Sequence, residues 1–276
     1  MLLFFKILSR LPLWLLHVMG ALFGWLIFIL SASYRHSFRA NVYKAGLRWW
    51  QWWSAVGAAG KLVAEIPRLW IGKPVKVTWN GEQVLQDALK ADKGVVFLTP
   101  HLGCFEITAQ AYAGHYGLNG RPMTVLFRLP RQQWLADWVR ASRQRPGMDT
   151  APSTLAGVKK LFKVLKSGQC VGLLPDQVPP EGLGVWLPFF GHNAYTMTLS
   201  ARLAIQTGAT VLLAWGERLS WGRGYVVHVM PLGEDLSSEV EVAAGQINRA
   251  MERLIRLAPG QYLWGYERYK APRDGA

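Results

Sequence analysis

Residues 11–30, LPLWLLHVMGALFGWLIFIL, hold no Lys, Arg, Asp or Glu, a run of about the length that crosses the hydrocarbon of a bilayer. Lys6 and Arg10 precede it, and Arg35, Arg39, Lys44 and Arg48 follow it. That bias predicts a cytoplasmic position for the chain that comes after. A cleaved secretory signal would use Ser31-Ala32-Ser33 as its small-residue site, but the run exceeds the roughly 7–15 apolar residues of such signals. A retained anchor is therefore expected, either crossing the membrane or lying in its interface. Residues 41–72 crowd Trp49, Trp50, Trp52 and Trp53 beside Arg48 and Lys61, which suggests core aromatics or a second helix at headgroup depth, ended by Pro67 and Gly72-Lys73-Pro74.

From residue 75 onward the pattern alternates. Short apolar runs at 75–79, 95–99, 123–127, 170–174, 211–215 and 225–230 predict strands. Segments near 82–90, 105–116, 132–143, 154–166 and 196–207 predict helices. Ser238 with Glu241 has the spacing of a capping box for a last helix reaching about residue 257. Strands alternating with helices predict an α/β fold. The expectation is a single domain over residues 46–276, with a central, mainly parallel mixed sheet flanked by helices. Residues 1–45 would be an N-terminal membrane anchor and juxtamembrane segment.

Composition adds a partner class. Hydrophobic residues reach 51% and charged residues only 17%, which excludes a disordered chain and favours a membrane-associated protein. The 31 Lys and Arg against 17 Asp and Glu leave +14, so phospholipid headgroups, a phosphorylated glycolipid or an acidic carrier protein are the natural partners. Nucleic acid is disfavoured, because the basic residues are scattered and no nucleic-acid-binding signature is present. Fourteen tryptophans also favour a membrane–water boundary. Cys104 and Cys170 sit in apolar surroundings and read as buried thiols; no Cys–His pairing has zinc spacing, and no metal or organic cofactor is expected.

The stretch GVVFLTPHLGCFEITAQAY concentrates the chemistry. A buried strand ends at Pro100-His101, and a helix starts soon after with Glu106 in its first turns; catalytic groups of open α/β sheets gather at such strand ends. Glu106 could hold one imidazole nitrogen and leave the other as a base toward a substrate hydroxyl. No G-x-S-x-G elbow or H-E-x-x-H zinc motif is present. By spacing alone, an H-x4-E pair is also compatible with a structural histidine.

The TPHLGCFE segment resembles the H-x4-D/E block of the glycerolipid acyltransferase superfamily. Through VLFRLPRQQWL, RQRPG, GLLPDQ, VWLPFFG and APGQYLWGYERYK, the chain looks like the lipid A late acyltransferases. That resemblance implies His101 as general base and Glu106 as its orienting carboxylate. Arg128 and Arg145 would hold phosphate or the thioester oxyanion, and Asp176 and Gln177 would shape the site or bind the glycolipid head. It further implies an acyl-[acyl carrier protein] donor, an anionic membrane glycolipid acceptor, and a bacterial inner-membrane location with the catalytic domain on the cytoplasmic side. The pattern departs at Leu129, where relatives carry proline. The same His–Glu pair would also serve a lysophospholipid, ornithine lipid or glycolipid acceptor. A thioesterase or a non-catalytic lipid-binding membrane protein are the rivals from other classes.

Overall fold

A computed structural model describes residues 2–127 and 145–273. The strands of its central sheet are β1 (Val77–Asn80), β2 (Val95–Leu98), β3 (Met123–Phe127), β4 (Met148–Pro152), β5 (Cys170–Leu173), β8 (Thr210–Arg218) and β9 (Tyr225–Pro231). They lie in the order β1-β9-β8-β2-β5-β3-β4. Every neighbouring pair is parallel except β8 and β9. A separate antiparallel hairpin joins β6 (Gly184–Phe189) to β7 (His192–Met197). The sheet is thus mainly parallel and mixed, as the alternating pattern predicts.

β2 is VVFL and is buried at every position, which is why it reads as an unbroken apolar run. Its alternate residues feed two cores. Val96 and Leu98 face α7 (Leu155–Lys166), α8 (Leu199–Thr207) and α9 (Val240–Leu257), while Val95 and Phe97 face α5 (Glu82–Lys90) and α6 (Phe105–His115). The structure also corrects the sequence reading. β4 and the β6–β7 hairpin were not expected, since MDTAP and LPFFG carry Pro, Asp and Gly that read as turns. The helix expected at 196–207 starts at Leu199, because residues 192–197 belong to β7. Ser238 does not cap α9: Glu239 occupies the cap, and its N–H is taken by the Ser237 hydroxyl at 3.1 Å. The helix expected at 132–143 lies outside the described residues.

Four helices precede the sheet: α1 (Leu2–Arg10), α2 (Leu13–Leu30), α3 (Ala32–Lys44) and α4 (Trp49–Ile71). α4 continues through Pro67, which the sequence reading placed at its end. α2 packs closely along α4 because glycines face one another there. A side chain on Gly60 would run into the Gly20 carbonyl, and one on Gly20 would meet the backbone of Gly60 and Lys61.

Under this contact lies a buried charged cluster. Glu65 of α4 is fully buried and takes two hydrogen bonds from Arg218 at the end of β8, at 2.8 and 2.6 Å. The Tyr225 hydroxyl donates to it at 2.8 Å, and His17 Nε2 of α2 lies 3.0 Å away. Burial opposes the ionised form of Glu65, but the Arg218 charge and these hydrogen bonds win and lower its pKa to about 2. Glu65→Gln should destabilise the protein by about 3–5 kcal/mol, because it strands a buried guanidinium. The sign of the pH effect follows from the lowered pKa. Glu65 stabilises fully above its unfolded value near 4.5, and the contribution fades as pH falls toward about 2. Thermal melts between pH 6 and 2 should show this acid-labile component in the wild type and its absence in Glu65→Gln.

Candidate active site

β2 and β5 lie side by side and parallel, with Leu98 opposite Leu173. The ladder runs one step further, as the Thr99 N–H donates to the Leu173 carbonyl at 3.1 Å. Both chains then leave the same edge of the sheet, and each delivers a polar side chain shortly beyond it: His101 after β2 and Asp176 after β5. This is the carboxyl-terminal edge, where α/β sheets collect their ligands.

His101 Nδ1 is 2.8 Å from Asp176 Oδ1, and the His101 backbone N–H donates to Oδ2 at 2.9 Å. The Tyr262 hydroxyl donates to that same Oδ2 at 3.0 Å. Asp176 is 1% exposed. Burial alone would push its carboxyl up, but the imidazole charge and the hydrogen bonds from His101 and Tyr262 outweigh it and hold the pKa below the ordinary value. An ionised carboxylate accepts only, so the imidazole proton belongs on Nδ1. Nε2 is left as the acceptor, and it faces the side-chain amide nitrogen of Gln177 at 3.0 Å. The Tyr262 hydroxyl, buried against Asp176, is pushed well above its usual pKa and stays a donor.

This geometry corrects the expected pairing. With both ring nitrogens engaged by Asp176 and Gln177, the carboxylate that orients the imidazole is Asp176 and not Glu106. The reason is topological: residues 75 apart in sequence become neighbours through parallel strand pairing. Glu106 is buried in the first turn of α6, and its charge acts on Arg145. Arg145 itself donates to the Leu69 and Trp70 carbonyls at the end of α4, at 2.7 and 2.8 Å, and to Gln110 at 3.2 Å. Its guanidinium therefore closes the last turn of a helix, whose carbonyls lack intrahelical donors. Arg128 lies outside the described residues.

The loop carrying His101 is clamped by the segment 259–264. Leu263 N–H donates to the His101 carbonyl at 3.1 Å, and Gly103 N–H donates to the Gln261 carbonyl at 3.0 Å. Gly103 has φ +61°, and a side chain there would strike the Gly216 carbonyl, so the turn after His101 requires glycine. Tyr262 is the participant that sequence reading missed. It sits within APGQYLW, but nothing local in that block points to an aspartate 86 residues earlier.

Beside the pair, between the sheet and α6, lies a small apolar cavity. Its lining includes Thr99, Phe105 and Leu174, together with Phe97, Tyr112, Met123 and Gly172. The Phe105 ring meets the imidazole edge-on at 5.0 Å. Gly172 leaves the sheet face open; a Cβ there would stand 3.3 Å from Val125 Cγ1 and 3.4 Å from Met123 Sδ. Among the described residues, no three His, Cys, Asp or Glu side chains cluster as a metal ion would need.

Several bacterial proteins are similar to this chain in sequence. The chain is 28% identical over 185 residues to the lipid A biosynthesis lauroyltransferase of Escherichia coli (strain K12), covering 66% of this chain and 56% of that protein. It is 28% identical over 192 residues to the lipid A biosynthesis palmitoleoyltransferase of the same organism, covering 69% and 60%. A lipid A biosynthesis acyltransferase of Haemophilus influenzae is 25% identical over 196 residues, covering 71% and 59%. The matches thus span little more than half the length of these relatives. Residues 56–271, which include the sheet, the His101–Asp176 pair and the 259–264 clamp, match the family described as bacterial lipid A biosynthesis acyltransferase, and the chain belongs to that family.

Proposed function

We propose that this protein transfers a fatty acyl chain from an acyl-[acyl carrier protein] thioester to a hydroxyl of a lipid A precursor. The observation that supports this most is the imidazole of His101, oriented by Asp176 and packed against Phe105, a residue that lines the apolar cavity. The acceptor hydroxyl displaces the Gln177 amide from His101 Nε2 and gives up its proton there as its oxygen attacks the thioester carbonyl. Asp176 steadies the imidazolium that forms. The C–S bond then breaks, and the proton passes from Nε2 to the leaving thiolate, which restores the resting imidazole. Gln177, freed from Nε2, is left as a donor to a substrate oxygen. The acyl chain occupies the cavity beneath Phe105. Glu106 supports the site from the first turn of α6, Arg145 does so from the end of α4, and Arg128 remains the candidate for a lipid phosphate, as the family resemblance implies. The reaction takes place at the cytoplasmic face of a bacterial inner membrane, with residues 1–45 as membrane attachment and residues 46–276 as the catalytic part. The +14 charge suits both an acidic carrier protein and an anionic glycolipid.

The assay is membranes containing the protein, incubated with radiolabelled acyl-[acyl carrier protein] and a Kdo-bearing lipid A precursor. His101→Ala should lower turnover by about 10²–10⁴. Asp176→Asn should fall in the same range, with Glu106→Gln clearly milder. Equal losses at 106 and 176 would count against Asp176 as the orienting carboxylate. Release of free fatty acid without acceptor would mark a thioesterase instead, and transfer only to other lipids would move the acceptor outside lipid A.

Tyr262 supplies a pH test. Its hydrogen bond favours the ionised Asp176, so Tyr262→Phe leaves a more basic carboxylate that draws more strongly on the protonated imidazole. The acid limb of the rate profile should therefore move to higher pH. A uniform loss at all pH values with no displacement of that limb would reduce Tyr262 to packing.

Gly172→Val narrows the cavity between Val125 and Met123. Turnover with long acyl donors should drop relative to short ones in competition assays, with folding monitored by thermal melting. An unchanged ratio would place the acyl chain elsewhere.

A further inference from the structure

From how α2 is held by the rest of the protein, we infer that this helix does not cross the membrane but lies along one leaflet, as a half-buried helix whose outer side meets lipid. Its composition and length alone allow a crossing. Its contacts do not. Trp14, Leu22, Phe23, Leu26, Ile29 and Leu30 are all at least half exposed and recur at helical spacing on one side. Gly20, Gly24 and His17 form the opposite side and are buried against α4. His17 meets Glu65, Gly20 meets Gly60, and Gly24 meets Val56, so α2 runs antiparallel along α4 over most of its length.

α4 is in turn bound to the catalytic body from end to end. Ser54 donates to the Gly260 carbonyl at 3.3 Å, Glu65 is locked to Arg218, and the Leu69 and Trp70 carbonyls receive Arg145. Those attachments extend over about 24 Å of helix at 1.5 Å per residue. A hydrocarbon core of about 30 Å surrounding α2 would have to take in α4, with Lys61, Glu65 and Arg68, and the polar loops fastened to it. Irregular backbone facing lipid at that depth would lack hydrogen-bond partners. A leaflet that meets α2 from the side requires neither.

The rim of the exposed stripe has the chemistry of a headgroup layer. Trp221 is 83% exposed and held at φ +59°, an uncommon backbone state for so bulky a residue, in a turn where Gly222 abuts the start of α2 at Trp14. Toward the other end of α2, α4 opens with Trp49 and Trp50, at 66% and 52% exposure. Indole rings favour the membrane–water boundary. Exposed Arg10, Arg39 and Arg48 flank the same stripe, and the net charge of +14 favours anionic lipid over a second copy of this equally charged chain. The inference does not depend on the acyl-transfer reading, and its test measures no activity.

The test uses the full chain in sealed phosphatidylethanolamine–phosphatidylglycerol vesicles. Single cysteines replace Arg10 and Ser33, at the two ends of α2, and Lys159, on the catalytic body; native Cys104 and Cys170 are buried. Residues 10 and 33 should react with a membrane-impermeant maleimide from the same side as residue 159. A fluorophore on Leu22→Cys should be quenched more by lipids brominated near the headgroup than by lipids brominated near the chain ends. Reaction of residues 10 and 33 from opposite sides, or strongest quenching from the deep bromines, would overturn the inference in favour of a crossing helix. No quenching from either depth would overturn it too, because a second copy or another protein would then cover the stripe.

Discussion

The contact on which the architecture turns is the ion pair between Glu65 and Arg218. A carboxylate in the interior is tolerated only when it is fully paired, and Glu65 has Arg218, Tyr225 and His17 around it. The four residues come from α4, β8, β9 and α2, so one cluster fastens the helical layer to the sheet. Arg218 reaches one step further and donates to the Gly103 carbonyl at 3.2 Å, two residues past His101. The loop that carries His101 is therefore hung from the same group that holds α2 and α4 against the sheet. Cys104, buried beside Glu65, has its thiol pushed well up, first by burial and then by that carboxylate, which keeps it an unreactive filler.

The site itself comes from parallel pairing. Two adjacent strands with matched ends project His101 and Asp176 from one edge at hydrogen-bond distance, and Tyr262 saturates the far oxygen of the carboxylate. The arrangement commits Nδ1 to Asp176 and leaves Nε2 against the Gln177 amide. The 259–264 segment fixes both the loop backbone and Asp176, which explains how a block late in the chain comes to be part of a site that begins near residue 100. The cavity beside the pair is apolar because it lies between the inner face of α6 and the sheet, both of which carry core side chains.

Much of this was legible in the residues. The apolar run of β2, the break at Pro100-His101 and the order of family-like blocks led to the α/β class and to His101. The blocks also single out Asp176 and Gln177, though only as groups shaping the site or binding the glycolipid head. What stayed hidden were long-range partners. Glu106 was chosen to orient His101 because it is near in sequence and would sit on a helix just beyond it, while Asp176 reaches the imidazole through strand pairing that no local pattern encodes. Arg145 looked like an anion binder because its charge was visible and its partners, the last carbonyls of α4, were not.

The sequence by itself determined the period of most segments, the excess of positive charge, the apolar helix near the start and the place of His101 at a strand end, because those depend on residue type and local spacing. The tertiary structure decided which carboxylate holds His101, that Tyr262 belongs with it, and which side of α2 is left exposed. Each of those is a contact between segments distant in the chain, and its energy exists only once the sheet has brought them together.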